Sequence, residues 1–156
     1  MSINRIDIMA LIVVILMVFG WNKWDEAQKE NAPARDWFVV ENIFIPSFIE
    51  GENPVMTYSF TVLRETRGLW RIEIFETKQS QETSAAVCVG SGIGNYKPGK
   101  GPKSGVTLEW FMGKDCKLPA GEYVAVATWT LQPKGYPEKI VTYVSNPFVV
   151  SNINKP

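Results

Sequence analysis

The hydrophobic pattern divides the chain into one uninterrupted apolar run and a long series of alternating segments. Residues 8–21 carry no charge. A helix of that length rises about 21 Å, less than the roughly 30 Å hydrocarbon core of a bilayer. The flanks extend it, because Trp and Lys residues are typical of a membrane interface. The pattern predicts a single-pass transmembrane anchor over residues 1–24, with anchoring side chains at Ile8, Leu11, Val14, Leu16, Phe19, Trp21 and Trp24.

Two other interpretations of this run stay open. A cleaved signal peptide needs small residues near its end, which residues 18–20 partly supply, although Trp21 and Trp24 would then follow the cut directly. A buried or amphipathic core helix is the third interpretation. Residues 25–36 are polar and charged, and they predict a stalk whose helix continues to Asn31 and ends before Pro33.

From residue 37 onward apolar and polar positions alternate with the period of β-strands. In the clearest stretch one face is formed by Tyr123, Ala125, Ala127, Trp129 and Leu131. Further strands are predicted over residues 37–45, 55–63, 69–76, 85–89, 106–112 and 139–150, the last interrupted at Pro147. The glycine-rich segment 90–105 is predicted to be a loop. About seven strands indicate an all-β protein, an antiparallel β-sandwich over residues 37–151 with a tail at 152–156.

A Leu-x-x-Gly-x-Tyr sequence formed by Leu118, Gly121 and Tyr123 opens the clearest strand. With Trp70 in the third strand, it resembles immunoglobulin-like sandwiches, and the layout is similar to small membrane-anchored ones of bacteria and phages. The resemblance covers residues 37–150. It implies that the Tyr123 ring packs inward and that its hydroxyl bonds to the upstream backbone. It departs at Ala125, where antibody-type domains place a cysteine. A generic hairpin with a buried tyrosine is the alternative.

Composition removes several classes of function. Hydrophobic residues make up 46% of the chain, which argues against global disorder. The chain has no histidine, which excludes Ser-His and Cys-His nucleophile pairs and imidazole metal sites. Lys plus Arg and Asp plus Glu both number 16, so net charge provides no general attraction to nucleic acid. We expect a non-enzymatic protein with no cofactor, no metal and no nucleic-acid partner.

The two cysteines are too few for a zinc site without histidine, and they lack Cys-x-x-Cys spacing. A disulfide between Cys88 and Cys116 is expected if the domain lies outside the cytosol. It would close a loop of about 29 residues and contribute about 3.5 kcal/mol by the chain-entropy relation. Two free buried thiols are the alternative.

The orientation of the anchor is contested by two signals. Lys23, Lys29 and Arg35 follow the apolar run and only Arg5 precedes it, which by the positive-inside rule places the large domain in the cytoplasm. The cysteine pair argues for export. We favour a domain outside the cytoplasm, in the periplasm or at the surface, because an N-terminal signal-anchor followed by such a domain is a common bacterial arrangement.

Two sets of residues are candidates for contact surfaces. Residues 90–95 have the glycine content of a phosphate loop, but no helix follows them, so a flexible loop is favoured. Three lysines form a local cationic patch that would suit an anionic partner, a solvated loop being the alternative. Three aromatic residues would suit exposed contacts, with a core or edge role as the alternative. These candidates are Lys97, Lys100, Lys103, Trp37, Phe111 and Tyr136.

The function expected from these features is a membrane-anchored, immunoglobulin-like binding or interaction module at the cell envelope. It would present loops or a strand edge to a protein partner or to a second copy of itself. A structural subunit of a cell-surface or phage virion assembly is the second interpretation, and a carbohydrate-binding accessory domain is the third.

Overall fold

The protein forms two compact units that divide after Pro33. A computed structural model describes residues 5–77, 85–101 and 105–152, without the side chains of residues 5–8 and 10. In this part of the chain the first unit consists of one helix, and the second consists mainly of β-strands. The prediction of an N-terminal helix followed by a β-rich region is therefore confirmed.

Helix α1 spans Arg5–Asn31. Its polar second half is supported by ion pairs one turn apart, Lys23 with Glu26 at 3.1 Å and Lys29 with Asp25 at 2.6 Å. The helix ends at Asn31, as the position of Pro33 predicts. Among the helices that the structure describes, none has both the length and the apolar content needed to cross a membrane.

The described part of the second unit contains ten strands, a 3-10 turn (Ala34–Asp36) and a short helix, α2 (Leu108–Met112). The strands are β1 (Phe38–Phe44), β2 (Phe48–Ile49), β3 (Val55–Val62), β4 (Thr66–Glu76), β5 (Cys88–Tyr96), β6 (Gly99–Lys100), β7 (Val106–Thr107), β8 (Gly121–Gln132), β9 (Lys139–Val144) and β10 (Phe148–Ser151). They exceed the predicted seven because two short strands form in predicted turns and the last strand is split.

The strands form two sheets. The smaller sheet has the order β1-β3-β6, with β7 also paired to β3. The larger sheet has the order β2-β10-β8-β4-β5, with β9 also paired to β8. All pairs are antiparallel except β2 with β10. Side chains of the two sheets meet in one core, where the Phe38 ring of β1 lies 5.4 Å from that of Trp129 and 5.1 Å from that of Tyr96.

Strand β1 buries Phe38 and Ile43 although these residues are five positions apart. A regular strand would direct them to opposite faces. The pairing with β3 shifts register between Val40 and Asn42, so Glu41 is an extra residue in β1. This β-bulge reverses the alternation and allows both ends of the strand to contribute to the core.

The start of β8 has the contacts that the corner sequence predicts. The Tyr123 side chain is fully buried, and its hydroxyl donates a hydrogen bond of 2.9 Å to the Pro119 carbonyl. Leu118 is buried beside this turn. A Cβ at Gly121 would lie 3.1 Å from the Tyr123 hydroxyl, so glycine leaves the ring its space. The predicted inward face of β8 is buried at Tyr123, Ala125, Ala127, Trp129 and Leu131.

The break between β9 and β10 lies at residues 145–147, as Pro147 predicts. Ser145 continues the contact with β8 here, because its hydroxyl accepts from the Ala125 amide at 3.0 Å. The Asn146 amide group bonds to both the amide and the carbonyl of Ile45, each at 2.9 Å. The side chain therefore pairs with the chain after β1 as a strand backbone would.

Two predicted segments are wrong. Residues 90–96 are not a loop, because β5 pairs with β4 without a break from Cys88 to Tyr96. Residues 106–112 are not one strand, because only β7 is extended and α2 follows it. Leu108 and Met112, one helical turn apart, are the two buried residues of α2.

Candidate functional site

Three glycines of β5 face the interior of the two-sheet unit. Gly90, Gly92 and Gly94 alternate with outward residues, which is the period of a strand. A Cβ at Gly90 would collide with the Phe111 carbonyl, and one at Gly92 would lie 2.6 Å from the Trp70 ring. The glycines therefore allow the backbone of α2 and the neighbouring rings to lie directly against β5.

The α2 segment is fixed at both ends. Behind it, the predicted disulfide between Cys88 and Cys116 is confirmed, and it joins the start of β5 to the chain that leaves α2. At its start, the Glu109 amide donates to Asn53 Oδ1 at 3.0 Å, and Asn53 Nδ2 donates to Glu109 Oε2 at 2.8 Å. The helix is thus a fixed cover over the β5 edge of the two sheets.

A cavity of about 210 Å³ lies beneath this cover, between the two sheets. None of its lining residues carries a formal charge. Most of the lining is aromatic, and the rings belong to Tyr58, Phe60, Trp70, Tyr96, Trp110, Phe111 and Trp129. These residues come from both sheets and from α2, so the cavity exists only in the folded two-sheet unit.

Phe111 lies at the centre of the rings around this cavity. Its ring meets those of Tyr58, Trp70 and Trp110 edge to face, with centroid distances of 5.4, 5.4 and 4.8 Å. Such edge-to-face pairs are favourable beyond the area that they bury. Phe111 is half-buried, and its ring faces this cluster, so its interpretation as an outward contact residue stays a prediction.

Trp110 is an exposed aromatic residue that the sequence interpretation missed. Its side chain is 62% exposed, and Ile93 on β5 is 61% exposed beside the same cavity. The predicted strand over residues 106–112 would put Trp110 on the same face as Leu108, whereas the helix buries Leu108 and exposes Trp110. A helical interpretation of residues 108–112 would have found it, because Leu108 and Met112 then share the opposite side.

Two tyrosine hydroxyls supply polarity within this apolar lining. Burial raises the pKa of Tyr96 to about 12. A hydrogen bond with the Trp129 side chain lowers this pKa in part, and the neighbouring Tyr58 raises it slightly. Burial also raises the pKa of Tyr58. Both phenols are therefore neutral at physiological pH and add no charge to the cavity.

The other aromatic candidates belong to a second, smaller cluster. Trp37 is only 3% exposed, so its interpretation as a contact residue is wrong. The Tyr136 ring meets it edge to face at 4.8 Å, and the Arg64 guanidinium lies 5.4 Å from its centroid. This cluster holds the β8–β9 hairpin loop against the start of β1. Tyr136 keeps 37% of its surface exposed.

The predicted cationic patch is described only in part. Lys97 and Lys100 are exposed, and Lys100 belongs to the short strand β6. Lys103 lies outside the described residues. The two exposed lysines flank Pro98 and Gly99, and their side chains do not line the aromatic cavity.

A second concavity of about 520 Å³ lies on the far side of α2, beside the β2–β3 loop. It is lined by both signs of charge, including Glu50, Glu52, Lys114 and Lys117. Glu52 already accepts a hydrogen bond from the Ile49 amide at 2.9 Å, so it serves the loop itself. In the ranges 5–77, 85–101 and 105–152, no three potential ligand side chains come together as a metal site would require.

Searches against protein-family models, curated proteins and solved structures returned no match for this chain.

Proposed function

We propose that this protein is a non-enzymatic binding module, with α1 as a membrane anchor and the two-sheet unit as an immunoglobulin-like sandwich outside the cytoplasm. One observation carries the anchor. Every residue from Leu11 to Phe19 is apolar and between 43% and 69% exposed. Because nine consecutive helical residues cover all sides of a helix, this part of α1 is apolar all round, which is typical of a helix surrounded by lipid or by other helices.

The end of the apolar run supports the same proposal. Trp21 and Trp24 are exposed one turn apart, with ring centroids separated by 5.7 Å, and Lys23 lies between them. Amphipathic rings and a lysine are the residues that prefer the membrane interface. The uncharged run itself is short, and a bilayer accommodates a short run by local thinning and by extension of the flanking side chains.

The disulfide supports the proposal that the two-sheet unit lies on the outer side of the membrane. Structural disulfides persist in oxidising compartments and are rare in the cytosol. Cys88–Cys116 joins two segments that also meet through α2, so it belongs to the folded unit and not to a flexible loop. This favours the exported orientation over the one that the lysine and arginine count suggests.

The sandwich proposal rests on two features of the second unit. It has two mostly antiparallel sheets with a common core, and it has the Tyr123 hydroxyl bond to the turn before β8. Immunoglobulin-like domains usually bind or assemble and rarely catalyse. Fold alone leaves the partner open.

Membrane fractionation of the full chain tests the anchor. We expect the protein in the membrane pellet after an alkaline wash, and in the supernatant once Val14→Asp and Leu16→Asp place charges in the apolar run. The matched control, Leu63→Asp at an exposed position of the two-sheet unit, should leave the protein in the pellet. Wild-type protein in the supernatant would contradict the proposal. Pelleting that survives complete solubilisation of the lipid would indicate an assembly subunit instead.

Thiol labelling in intact cells tests the orientation. A polymer tag should shift the mass of the chain only after reduction, and external or periplasmic protease should digest the two-sheet unit. Labelling without reduction, together with protection from protease, would place the unit in the cytoplasm and refute the exported orientation.

A further inference from the structure

We propose that the aromatic cavity beneath α2 is a binding site for one uncharged ring, between benzene and indole in size. Its volume of about 210 Å³ decides the size. A cavity of about 150 Å³ with apolar walls is known to accept benzene, whereas drug-sized ligands occupy pockets of about 300 Å³ or more. The cavity therefore accommodates one or two fused rings and no larger group.

The walls determine the chemistry of the ring. They present the rings of Tyr58, Trp70 and Phe111, and no charged side chain lines them. An ionised ligand would lose its hydration without gaining a partner, which is costly in an apolar site. An uncharged aromatic ring would instead add edge-to-face contacts of the kind that Phe111 already makes with its neighbours.

The mouth of the site is formed before any ligand arrives. Trp110 stands exposed beside the cavity, on α2. The Cys88–Cys116 disulfide and the Asn53–Glu109 pair hold α2 in place. A preformed site loses little ordering entropy when it binds, which favours affinity even for a small ligand. This proposal holds whether or not α1 enters a bilayer.

The six tryptophans provide a direct test by NMR of their indole N–H groups. Trp70, Trp110 and Trp129 line the cavity, whereas Trp21, Trp24 and Trp37 do not. The full chain in lipid nanodiscs is titrated with indole. We expect saturable shifts of the three cavity signals, with a common dissociation constant of about 1 mM or tighter. Trp21 and Trp24 report indole that enters the lipid.

Substitution at the mouth provides the second measurement. Trp110→Ala should weaken indole binding about fivefold, and Trp110→Phe should restore most of it, because the phenyl ring keeps an edge or face for the ligand. The control Trp24→Ala removes a similarly exposed tryptophan from the other unit and should leave binding unchanged. Equal weakening by both alanine variants would overturn the site, as would a titration in which the three cavity signals do not shift or in which Trp37 shifts with them.

The source of the ring is separated by a second probe. N-acetyltryptophanamide carries the same ring on a peptide-like backbone. If it binds as indole does, the natural occupant is an aromatic side chain of a partner protein. If only indole binds, the site accepts a free small molecule. Failure of both probes would refute the proposal and would leave the membrane proposal untouched.

Discussion

Strands β8 and β5 lie on opposite sides of β4 in the same sheet, yet they direct very different residues to the interior. β8 fills the interior with side chains, from Tyr123 to Leu131. β5 directs glycines to the interior at Gly90, Gly92 and Gly94, and the volume is filled by α2 and by aromatic rings from other elements. A strand can therefore bury a face of large side chains, as β8 does, or a face of glycines, as β5 does. Only the face of large side chains produces an alternating hydrophobic pattern in the sequence.

Truncation of a β8 core residue should give the largest loss of stability. Leu131→Ala removes a fully buried side chain, and we expect the free energy of unfolding to fall by about 3 to 4 kcal/mol. Denaturant unfolding of the full chain, followed by circular dichroism, measures it. The adjacent, exposed Gln132→Ala should change it by less than about 0.5 kcal/mol. A small effect at Leu131 would mean that the core at β8 collapses around the lost volume.

Removal of the disulfide should weaken the β5 side by a similar but smaller amount. The double variant Cys88→Ser, Cys116→Ser opens a loop with a sequence separation of 28, and the chain-entropy relation gives a loss of about 3.5 kcal/mol before native strain is subtracted. Urea unfolding of the wild type with and without reductant checks it. Reductant should have no effect on the double variant, and an effect there would point to another cause.

A single methyl group on the inner face of β5 should destabilise by about 2 kcal/mol. In Gly90→Ala the new Cβ meets the Phe111 carbonyl, so α2 must move away from the strand. The matched control is Ser91→Ala on the outer face, with an expected change below about 0.5 kcal/mol. Thermal unfolding of both variants compares the two faces directly. A neutral Gly90→Ala would show that α2 is loosely held despite the disulfide.

At neutral pH the smallest expected effect belongs to Tyr96 at the end of β5, because its contribution to stability changes only in alkaline solution. The folded-state pKa of Tyr96 is raised to about 12, above its ordinary value of about 10. The contribution of the neutral Tyr96 side chain to the free energy of unfolding is therefore complete below about pH 10. The contribution is lost as pH rises from about 10 to about 12, because the unfolded chain ionises first. Tyr96→Phe should therefore flatten part of the decline in stability over this range.

The same contrast explains how much of the fold was predictable from the sequence. Residue types with strong local preferences made three features predictable: the inward face of β8, the corner at Tyr123 and the break at Pro147. The sequence left both a disulfide and two free thiols as alternatives, because it does not specify the distance between the two cysteines. The bulge at Glu41 was not predictable from β1, because its extra residue is accommodated by the pairing with β3.

The candidate site was largely not predictable, for a different physical reason. Its glycines serve contacts with α2, which is distant in sequence, and glycine by itself favours the prediction of a loop. The one available signal was the spacing of Gly90, Gly92 and Gly94, which has the period of a strand. Trp110 was grouped on one face with Leu108 because the five residues of α2 are too few to separate a strand from a helix by periodicity.

The glycine face of β5 also limits how this protein could diversify. The main chain of β5 forms this wall of the cavity. Replacing one of its glycines with a larger residue would fill the space and would not change its shape usefully. Residues 108–112 are the better place to introduce variation, because the Cys88–Cys116 disulfide and the Asn53–Glu109 pair hold this short segment in place. Libraries that randomise Trp110 and Phe111 while they keep the glycines would therefore sample new ring preferences on an unchanged scaffold.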